Sequence, residues 1–352
     1  MLLTGLRGVG KTVLLNEIAR MASKDGYHSI SLEAHEDKPL AQLIAPPLRT
    51  LLFELDRLAG AGDKAKRGLR VLRSFVSSVK ITVNDFTFGL DIEPEVGAAD
   101  SGDIEIDLPS VLVAVAEAAA DRDSPVAILM DEVQYLDEHE LSGLIMSMHR
   151  IQQLQLPVVL VGAGLPILPR LAGESKSYAE RLFAFPEIGA LSPADAAKAL
   201  QDPARAAGVE FEDDALDEVF RFTNGYPYFV QEWGYQAWNF AQGSRITIET
   251  VRAATDAVTR RLDENFFRVR YDRLTQSERR FLRAMAAFGS TARTSDVAQA
   301  LGVKQNSVGP VRARLINKGM IYSPSYGDMA FTVPLFDQFM IRAVPEFAGK
   351  KA

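Results

Sequence analysis

Apolar residues form uninterrupted runs at several points in the first half of the chain. Val126–Met130 and Val158–Val161 contain no polar residue, and such runs are typical of strands that are buried on both faces of a parallel sheet. Tyr27–Leu32 alternates and predicts a further strand. Because helix-like stretches separate these segments, the pattern predicts an α/β core, a parallel sheet with flanking helices, over residues 1–190.

The stretches between the predicted strands have helical spacing, with one charged exception. Apolar residues recur on one broad face from Val13 to Ala22, and Leu40–Leu58 predicts a helix with a break at Pro46-Pro47. Residues 57–80 hold seven Lys or Arg residues and one acid, whereas residues 81–107, with a weak alternation at Thr82–Leu90, hold eight acids and no Lys or Arg. We expect residues 57–107 to be an insertion, either a solvated surface loop or a partner-docking loop.

The pattern changes to helices after Leu191. Ser192-Pro193 suits a helix start, and Asn224-Gly225 can end a helix that begins at Asp214. The aromatic residues of Pro227–Ala241 are interpreted mainly as core residues, and Ile248–Leu274 predicts a long linker helix. We therefore expect residues 191–274 to form an all-α lid.

The last segment combines helices with a hairpin. Thr275–Glu278 is a capping box, and it opens a region with predicted helices at about 276–288, 294–301 and 307–318. Met320–Ser323 and Met329–Val333 predict two strands joined by a turn. Three helices and a two-stranded wing predict a winged helix-turn-helix domain over residues 275–352.

Composition excludes several classes of protein. The chain of 352 residues is 47% hydrophobic and 24% charged, which is typical of globular proteins. It has no cysteine, which excludes disulfides and agrees with a cytoplasmic location, and neither a membrane span nor a signal peptide is expected. The net charge is −7, yet residues 271–352 hold 12 basic and 6 acidic residues. This asymmetry hints at a C-terminal domain that faces a polyanion.

The most specific motif is Gly5–Thr12, which fits G-x-x-x-x-G-K-[ST], the P-loop that cradles phosphates. Its glycines let the backbone bring several N–H groups close to phosphate oxygens. Lys11 would place its ammonium between the β- and γ-phosphates, and the Thr12 hydroxyl would bind Mg²⁺. The candidate nucleotide-binding residues here are Gly5, Arg7, Gly8, Val9, Gly10, Lys11, Thr12 and Val13.

Two acids follow the apolar run at Val126–Met130. Asp131-Glu132 downstream of a P-loop is the Walker B pattern. Asp131 would hold Mg²⁺ together with Thr12, and Glu132 would orient and polarise the attacking water. Glu132 and Lys11 are therefore candidate catalytic residues.

The order of these parts resembles the AAA+/STAND class of ATPases, and most closely its archaeal-type ATPase branch, which is related to origin-recognition ATPases. The stretches that carry the resemblance are Gly5–Leu15, Asp131–Leu136, Gly162–Pro166, Gly225–Gln231 and Phe331–Pro334. The resemblance implies ATP and Mg²⁺ as cofactors, bound between the α/β core and the lid. It also implies that Pro227 lies near the adenine and couples the nucleotide state to the lid position.

The same resemblance implies an arginine that senses the γ-phosphate. Arg181, which precedes a predicted strand at Phe183–Phe185, is the first candidate and Arg170 the second. Relatives often form rings or filaments in which a neighbour supplies the arginine, so a homo-oligomer is expected to be an option, with Arg150 as another candidate. The family also has a segment before the P-loop, and the four residues ahead of Gly5 predict weakened adenine binding.

Two departures from the class favour slow turnover. Gly162–Gly164 offers no polar sensor side chain, and the lid lacks the sensor arginine that many AAA+ motors carry. The first hypothesis is therefore a STAND-like switch in which ATP and Mg²⁺ reposition the lid and the winged helix, and slow hydrolysis resets them. The second is a DNA-binding initiator-like or transcription-linked ATPase. The third is a scaffold that binds nucleotide without hydrolysing it.

The winged helix has two candidate partners, duplex DNA and another protein. The helix expected near Ser307 would be the recognition helix, and basic side chains on it would contact phosphates. The alternative is a protein-docking module whose arginines form surface ion pairs. The candidate DNA-contacting residues are Gln305, Asn306, Ser307, Arg312 and Arg314.

Overall fold

The computed structural model describes residues 1–57, 63–79, 92–325 and 327–345, which fall into two units. Unit 1 comprises Met1–Gly5 and Lys11–Ile188, and unit 2 comprises Leu6–Gly10 and Gly189–Ala352. The tip of the P-loop therefore belongs to unit 2, although the residues on both sides of it belong to unit 1. The weak alternation noted at Thr82–Leu90 lies outside the described residues.

A parallel sheet with helices on both faces forms unit 1. Its elements in chain order are β1 (Leu2–Thr4), α1 (Lys11–Lys24), β2 (His28–Glu33), α2 (Leu40–Arg57), α3 (Asp63–Ser78), α4 (Ile104–Asp121), β3 (Val126–Asp131), a short 3₁₀ helix (Val133–Tyr135), α5 (Glu138–Gln153), β4 (Val158–Gly164), α6 (Leu168–Ser175) and α7 (Ala179–Leu182). The strands pair in the order β1, β4, β3, β2, and all pairs are parallel.

The short strand β1 is held on both sides. Leu2 pairs in register with Gly162 of β4, and on the other side its N–H donates to Ala184 O at 2.9 Å. Ile188 N donates to Thr4 O at 2.6 Å, so residues 184–188 run along β1. Phe183–Phe185, which the sequence predicts to be a strand, is irregular. The three residues of β1 are sufficient to place the P-loop at the end of a strand.

The continuous apolar run of β3 is explained by burial on both faces of the sheet. Ile128 and Met130 belong to the larger core, to which α2, α3, α4 and α5 contribute. Ala127 and Leu129 belong to a smaller core that is covered by α1 through Leu15. The prediction of a parallel α/β core with flanking helices is confirmed, and burial on both faces explains why no position from Val126 to Met130 is polar.

Helix α2 continues through Pro46-Pro47, where the sequence predicts a break. A proline inside a helix removes one backbone hydrogen bond and crowds the preceding turn. Here Ile44, Leu48 and Leu52 lie on both sides of the pair and are completely buried. Because burying each such side chain contributes about 1.5–3 kcal/mol, packing of the apolar face outweighs the lost bond.

Helix α3 belongs to the segment that the sequence predicts to be an inserted loop, but it is part of the main core. Leu72 and Phe75 on its inner face are fully buried. On its outer face, Arg67 pairs with Glu95 at 3.0 Å and with Glu117 at 3.2 Å. The opposite charges of the two halves of this segment therefore meet each other in part, although exposed pairs of this kind contribute only about 0–1 kcal/mol each.

Unit 2 is mostly helical. Its elements are α8 (Pro193–Ala206), β5 (Glu210–Phe211), α9 (Asp213–Thr223), α10 (Pro227–Phe240), β6 (Arg245–Ile246), α11 (Ile248–Arg261), a π-helical turn (Leu262–Phe267), α12 (Arg268–Asp272), α13 (Gln276–Ala286), β7 (Thr291–Arg293), α14 (Thr294–Leu301), α15 (Gln305–Asn317), β8 (Ile321–Tyr322), β9 (Asp328–Phe331) and α16 (Phe336–Ala343).

The segment predicted to be an all-α lid contains one short sheet. Strands β5 and β6 are parallel, with Glu210 opposite Arg245. Helix α9 ends as predicted, because Asn224 has φ 47° and Gly225 has φ 71°, values in the left-handed region that ends helices. The lid is therefore helical apart from a two-residue strand pair.

Helix α10 exposes most of its aromatic residues, contrary to the prediction that they are mainly core. Phe229 and Trp233 are buried, but Tyr235, Trp238 and Phe240 are 52%, 42% and 44% exposed. Aromatic residues occur all around this helix, and only one stripe of a surface helix can face a core. The exposed rings are therefore surface residues.

The predicted linker helix Ile248–Leu274 is interrupted by the π-helical turn Leu262–Phe267. A π turn inserts one extra residue, and the consecutive residues Phe266 and Phe267 are both buried here. The Phe267 ring lies 5.8 Å from that of Phe336 and 5.3 Å from that of Phe339. The end of the linker and α16 therefore share an aromatic core.

The C-terminal elements include the three predicted helices and the hairpin. Helix α13 begins with the capping box of Thr275 and Glu278. Strands β8 and β9 are antiparallel, and β7 adds a third strand beside β9, which the sequence pattern does not predict. Helix α16 also lacks a prediction. Assignment of these elements to the winged helix class stays a prediction.

Among the residues that the structure describes, no helix combines the length and the apolar character needed to cross a bilayer.

Candidate nucleotide-binding site

The P-loop has the backbone conformation that the motif predicts. Gly8 has φ 85° and Gly10 has φ 94°, a region that residues with a Cβ rarely adopt. At Gly8 an added Cβ would also lie 3.2 Å from the Tyr226 ring and 3.3 Å from Tyr228 Cβ, both in unit 2. The tip is anchored there, because Tyr228 N donates to Gly8 O at 3.2 Å. The glycine is required both by the turn and by the close approach.

Gly5, Lys11 and Thr12, at the two ends of the motif, belong to unit 1. The side chains of Lys11 and Thr12 form hydrogen bonds at the ends of neighbouring strands. Lys11, at the start of α1, is 6% exposed, and its Nζ donates to Gly5 O at 3.0 Å. The Thr12 hydroxyl donates to Asp131 Oδ2 at 2.5 Å, across 119 residues of sequence. The structure therefore places together the two residues that the sequence predicts as Mg²⁺ ligands, and their oxygens are of the type that this cation prefers.

Glu132 is held in a turn at the end of β3. It has φ 53°, an uncommon conformation for a residue with a side chain, and its N–H donates to Asp131 Oδ1 at 2.8 Å. Its carboxylate accepts a hydrogen bond from Gln134 Nε2. The other amide atom of Gln134, Oε1, accepts from Leu165 N at 3.0 Å at the end of β4. Gln134 thus connects the candidate catalytic acid to the neighbouring strand.

Gln134 is a functional candidate that the sequence interpretation missed. Gly162–Gly164 offers no polar side chain at the end of β4, as the sequence indicates. An added Cβ at Gly164 would lie 2.7 Å from Gln134 Oε1, so the glycine leaves space for the Gln134 amide. Its position two residues after Glu132, in the Walker B stretch, could have indicated a role. Its contact with Leu165 at the end of β4 could not be predicted, because that contact depends on how the strands are arranged.

The remaining candidate residues, two valines of the P-loop and three arginines, differ in burial and in their contacts. Val9 is buried, whereas Val13 is 72% exposed and adds nothing to the core face of α1. Arg181 is exposed at the end of α7, and Arg170 pairs with Glu174 at 3.5 Å on the surface of α6. Arg150 donates to Gln153 at 3.4 Å on α5. Their role in sensing the γ-phosphate stays a prediction.

The lid motif lies at the start of α10 in unit 2. Tyr226 is the N-cap residue and Pro227 is the first helical residue, where a proline is favoured because that N–H has no helical partner. Tyr226 is 4% exposed, and burial raises the pKa of its hydroxyl. Burial also raises the pKa of Tyr228. The role of Pro227 beside the adenine stays a prediction.

Comparison with protein families now identifies the class of the first part of the chain. Residues 1–161 match the model of the AAA ATPase domain. Together with the fold, this finding supports an AAA+ P-loop ATPase. Residues 264–340 match a domain of unknown function (DUF8462). No curated protein matches the chain.

Solved structures are similar to the chain in fold at low sequence identity. A Walker-type ATPase of Pyrococcus abyssi is 15% identical, with 97% of this chain and 90% of that chain covered and a TM-score of 0.53. The RuvB Holliday junction branch migration motor of Thermotoga maritima is 15% identical, with 94% and 83% covered and a TM-score of 0.45. The ORC1 protein of Aeropyrum pernix in complex with DNA is 16% identical, with 98% and 86% covered and a TM-score of 0.43.

The residues described above fit a nucleotide with its metal. The P-loop backbone has the open φ values needed for amide groups to face phosphate oxygens. Lys11 supplies the cation, and Thr12 with Asp131 supplies a pair of hard oxygen ligands. Elsewhere in the described residues, no group of three or more His, Asp or Glu side chains could hold a metal ion.

The candidate DNA-contacting residues on α15 divide into two groups. Gln305, Asn306 and Ser307 are exposed in its first turn. Arg312 donates to Ser323 Oγ at 2.9 Å, and Arg314 lies 3.6 Å from the buried carboxylate of Glu278. The polar residues therefore face solvent, while the two arginines also serve contacts within the C-terminal elements.

Glu278 explains part of that arrangement. Burial acts to raise the pKa of this completely buried carboxyl, but hydrogen bonds from Lys318 and Thr275 hold the pKa below its ordinary value. A buried carboxylate needs paired cations. Lys318 and Arg314 supply them, which reduces the basic charge that α15 and the residue after it can offer to a polyanion.

Proposed function

We propose that this protein binds ATP with Mg²⁺ and hydrolyses it slowly, acting as a STAND-like switch whose lid and C-terminal domain change position with the nucleotide state. The observation that carries the proposal is the meeting of Thr12 with Asp131, beside Glu132, at the strand ends of unit 1. P-loop and Walker B residues meet in this way in enzymes that bind a metal nucleotide. The match of residues 1–161 to the AAA ATPase domain supports the same activity.

Each residue has a distinct role in the proposal. Lys11 moves its ammonium from Gly5 O to the β- and γ-phosphate oxygens, and the amides of Gly8 and Gly10 donate to phosphate. Thr12 and Asp131 would hold Mg²⁺, which would supply positive charge against the phosphates. Glu132 accepts a proton from the attacking water or orients that water.

Slow turnover is supported by the state of Glu132. Its carboxylate is already engaged by Gln134, which is tied to Leu165 N at the end of β4. A carboxylate can accept several hydrogen bonds, so this bond leaves acceptor sites for water, but it makes the carboxylate a weaker general base. We propose that Gln134 positions Glu132 and weakens it as a base, so that hydrolysis is slow.

Phosphate release under single-turnover and steady-state conditions tests this function. The wild-type chain should bind and hydrolyse ATP slowly, and Lys11→Ala should remove the activity. Fast hydrolysis without any partner would rule out the switch, although the protein would still be an ATPase. A wild-type chain that binds ATP but never releases phosphate would support the nucleotide-binding scaffold instead.

Duplex DNA is the second candidate partner of the C-terminal elements, and the exposed polar turn Gln305–Ser307 favours it. The ion pairs of Arg314 and Lys318 with Glu278 weigh against it and favour a protein partner. A salt series of duplex binding by the full chain decides between them. DNA contact predicts affinity that falls steeply with salt, because counterions are released from the phosphates. Binding that is absent or independent of salt removes DNA from the proposal.

A homo-oligomer is also proposed, with the exposed Arg181 as the residue that one chain would offer to the nucleotide of the next. Size-exclusion chromatography with light scattering in the presence of ATP and Mg²⁺ tests it. A larger assembly that forms only with nucleotide supports a shared site, and a monomer under all conditions removes it.

A further inference from the structure

A further acid stands at the sheet end of unit 1, on the strand beside the Walker B strand. Glu33 is the last residue of β2, and it lies directly opposite Asp131 in the parallel pairing of β2 with β3. The two strands stay bonded beyond this point, because Ala34 N donates to Asp131 O at 3.0 Å. Glu33 is exposed and, within the described ranges of the chain, forms no ion pair.

The alternation of β2 decides on which face of the sheet Glu33 lies. Residues in register on parallel strands share a face, and the faces alternate along each strand. Ile30 belongs to the larger core on one face. Ser29 lies on the other face, where its hydroxyl donates to Ala19 O of α1 at 3.3 Å. Glu33 is four residues after Ser29, so Glu33 and its partner Asp131 share the face that α1 covers.

Glu33 is also level with the start of α1. This helix runs antiparallel to the strands, since Thr12 at its start contacts Asp131 at the end of β3, and Ala19 contacts Ser29 near the start of β2. Four residues of strand and nine of helix each span about 13 Å. Counted from the contact of Ser29 with Ala19, Glu33 therefore lies beside the P-loop end of α1, where the candidate Mg²⁺ ligands meet.

Two carboxylates in these positions are unfavourable without a cation. Residues opposite each other on neighbouring strands have backbones about 5 Å apart, and like charges placed in this way repel. A divalent cation offsets the repulsion. Mg²⁺ suits the pair, because it prefers oxygen ligands and is commonly bound by one or two carboxylates together with phosphates.

From this geometry we infer that Glu33 is a further residue of the metal site, whose carboxylate supplies a second negative charge for the Mg²⁺ that Thr12 and Asp131 would hold. The inference rests on the proposed function and adds to it a residue that belongs to neither the P-loop nor the Walker B stretch. Its consequence is specific. Glu33 contributes to the affinity for the metal, whereas its charge opposes the phosphates of a nucleotide that arrives without one.

Isothermal titration of the full chain with ATP, at a series of Mg²⁺ concentrations and in EDTA, tests the inference. Glu33→Gln removes the charge and keeps the size of the side chain. We expect it to raise the Mg²⁺ concentration that gives half of the effect on ATP affinity by about tenfold. In EDTA the same variant should bind ATP as tightly as the wild type or up to about threefold more tightly, because a repulsion is removed.

Two further variants calibrate the measurement. Glu36→Gln is the matched control, since it removes the same charge from an exposed acid three residues further along, and it should change ATP binding by less than about twofold in either condition. Asp131→Asn should remove most of the effect of Mg²⁺. The double variant of Glu33→Gln and Asp131→Asn should lose little more than Asp131→Asn alone, because both acids act on one ion.

The opposite responses in Mg²⁺ and in EDTA separate a role in the metal site from a structural role. Without metal and nucleotide, Glu33→Gln should unfold at the wild-type temperature or above it, since like charges are no longer opposed. Equal weakening of ATP binding in the two conditions would overturn the inference, because it would show that Glu33 only supports the fold.

The other outcomes distinguish the inference from the proposed function. An unchanged Mg²⁺ dependence in Glu33→Gln, with Asp131→Asn impaired, would overturn the inference alone. Loss of hydrolysis in Glu33→Gln with an unchanged Mg²⁺ dependence would also overturn it, since Glu33 would then act on the attacking water. If Mg²⁺ had no effect on ATP binding by the wild type, or if Asp131→Asn behaved as the wild type does, the metal site of the proposed function would itself fail.

Discussion

Two regions, the sheet end of unit 1 and the part of unit 2 that holds Tyr226 and Arg270, differ in how their polar groups are paired. In unit 1, Lys11, Thr12 and Glu132 each have a protein partner. In unit 2, the Tyr226 hydroxyl and Arg270 Nε are buried without one. Buried polar groups without partners cost free energy, and native proteins retain them mainly where function requires them.

The comparison shows that the cost of burying polar groups is met differently in the two regions. The side chains of unit 1 are oriented in advance by hydrogen bonds within the protein. The Tyr226 hydroxyl and Arg270 Nε have no such bonds in the part of the chain that the structure describes. Variants in unit 1 should therefore reduce chemistry, whereas removal of either of these two groups of unit 2 should cost little stability.

Lys11→Ala should have the largest effect, because it removes the cation that follows the developing charge on the phosphates. We expect ATP hydrolysis to fall by about a thousandfold in a phosphate-release assay. Lys24→Ala, at the exposed end of α1, is the control and should retain wild-type activity. Equal rates in Lys11→Ala and the wild type would show that hydrolysis occurs elsewhere and would end the contrast between the two regions.

Glu132→Gln should rank second, because it removes the base and retains the volume of the side chain. Hydrolysis should fall by about a hundredfold while ATP binding stays within about threefold of the wild type. Glu138→Gln, an exposed acid at the start of α5, is the matched control. Unchanged phosphate release in Glu132→Gln would mean that Glu132 is not catalytic, and the scaffold hypothesis would gain.

Gln134→Leu should have an intermediate effect, because it frees Glu132 but also removes its orientation. Groups that orient a catalytic residue usually contribute about 10–100-fold, and we expect kcat to change by about tenfold with little change in KM. Gln152→Leu, exposed on α5, serves as control. A kcat that matches the wild type, or a change in KM alone, would rule out the positioning role.

Glu218 should show the smallest effect and gives unit 2 a paired counterpart to Arg270. Hydrogen bonds from Arg221 and then Arg252 lower the pKa of this carboxyl to about 2. Because the folded pKa lies below the ordinary 4.5, the stabilisation is present above pH 4.5 and is lost as the pH falls towards 2. Glu218→Gln should lower the unfolding temperature by about 2 °C at pH 7 and flatten its pH dependence below pH 4.5. Asp217→Asn, exposed on the same helix, should not.

Calorimetric scans over this pH range check the prediction. If Glu218→Gln kept the acid-dependent loss of stability of the wild type, the paired arginines of α9 and α11 would not stabilise the folded state. The pairing of Arg221 and Arg252 with Glu218 would then contribute nothing measurable to the free energy of unfolding.

The sequence predicted the parts of the fold that depend on local patterns. The apolar run at Val126–Met130 became β3, and the distant pair Thr12 and Asp131 met as the motif chemistry implied. Asn224-Gly225 ended α9 because left-handed backbone favours these residue types. These features are encoded over a few residues, so a single chain is enough to find them.

Features that depend on packing were missed or wrong. The break expected at Pro46-Pro47 did not form, because burial of the surrounding leucines outweighed the lost bond. The contact of Gln134 with β4 and the position of Arg270 arise only when distant segments meet. Helix α16 could have been predicted, since Phe336, Phe339 and Met340 have helical spacing. Local pattern says little about which polar groups will be left without partners.

The most direct test of the central claim is an equilibrium titration of the wild-type chain and Lys11→Ala with ATP, in Mg²⁺ and in EDTA. We predict saturable binding at one site in the wild type, weakened at least about tenfold by the loss of the Lys11 ammonium. Removal of Mg²⁺ with EDTA should also weaken ATP binding, because Thr12 and Asp131 would lose the ion that they are placed to hold. No saturable binding, or equal binding by the two proteins, would contradict the account.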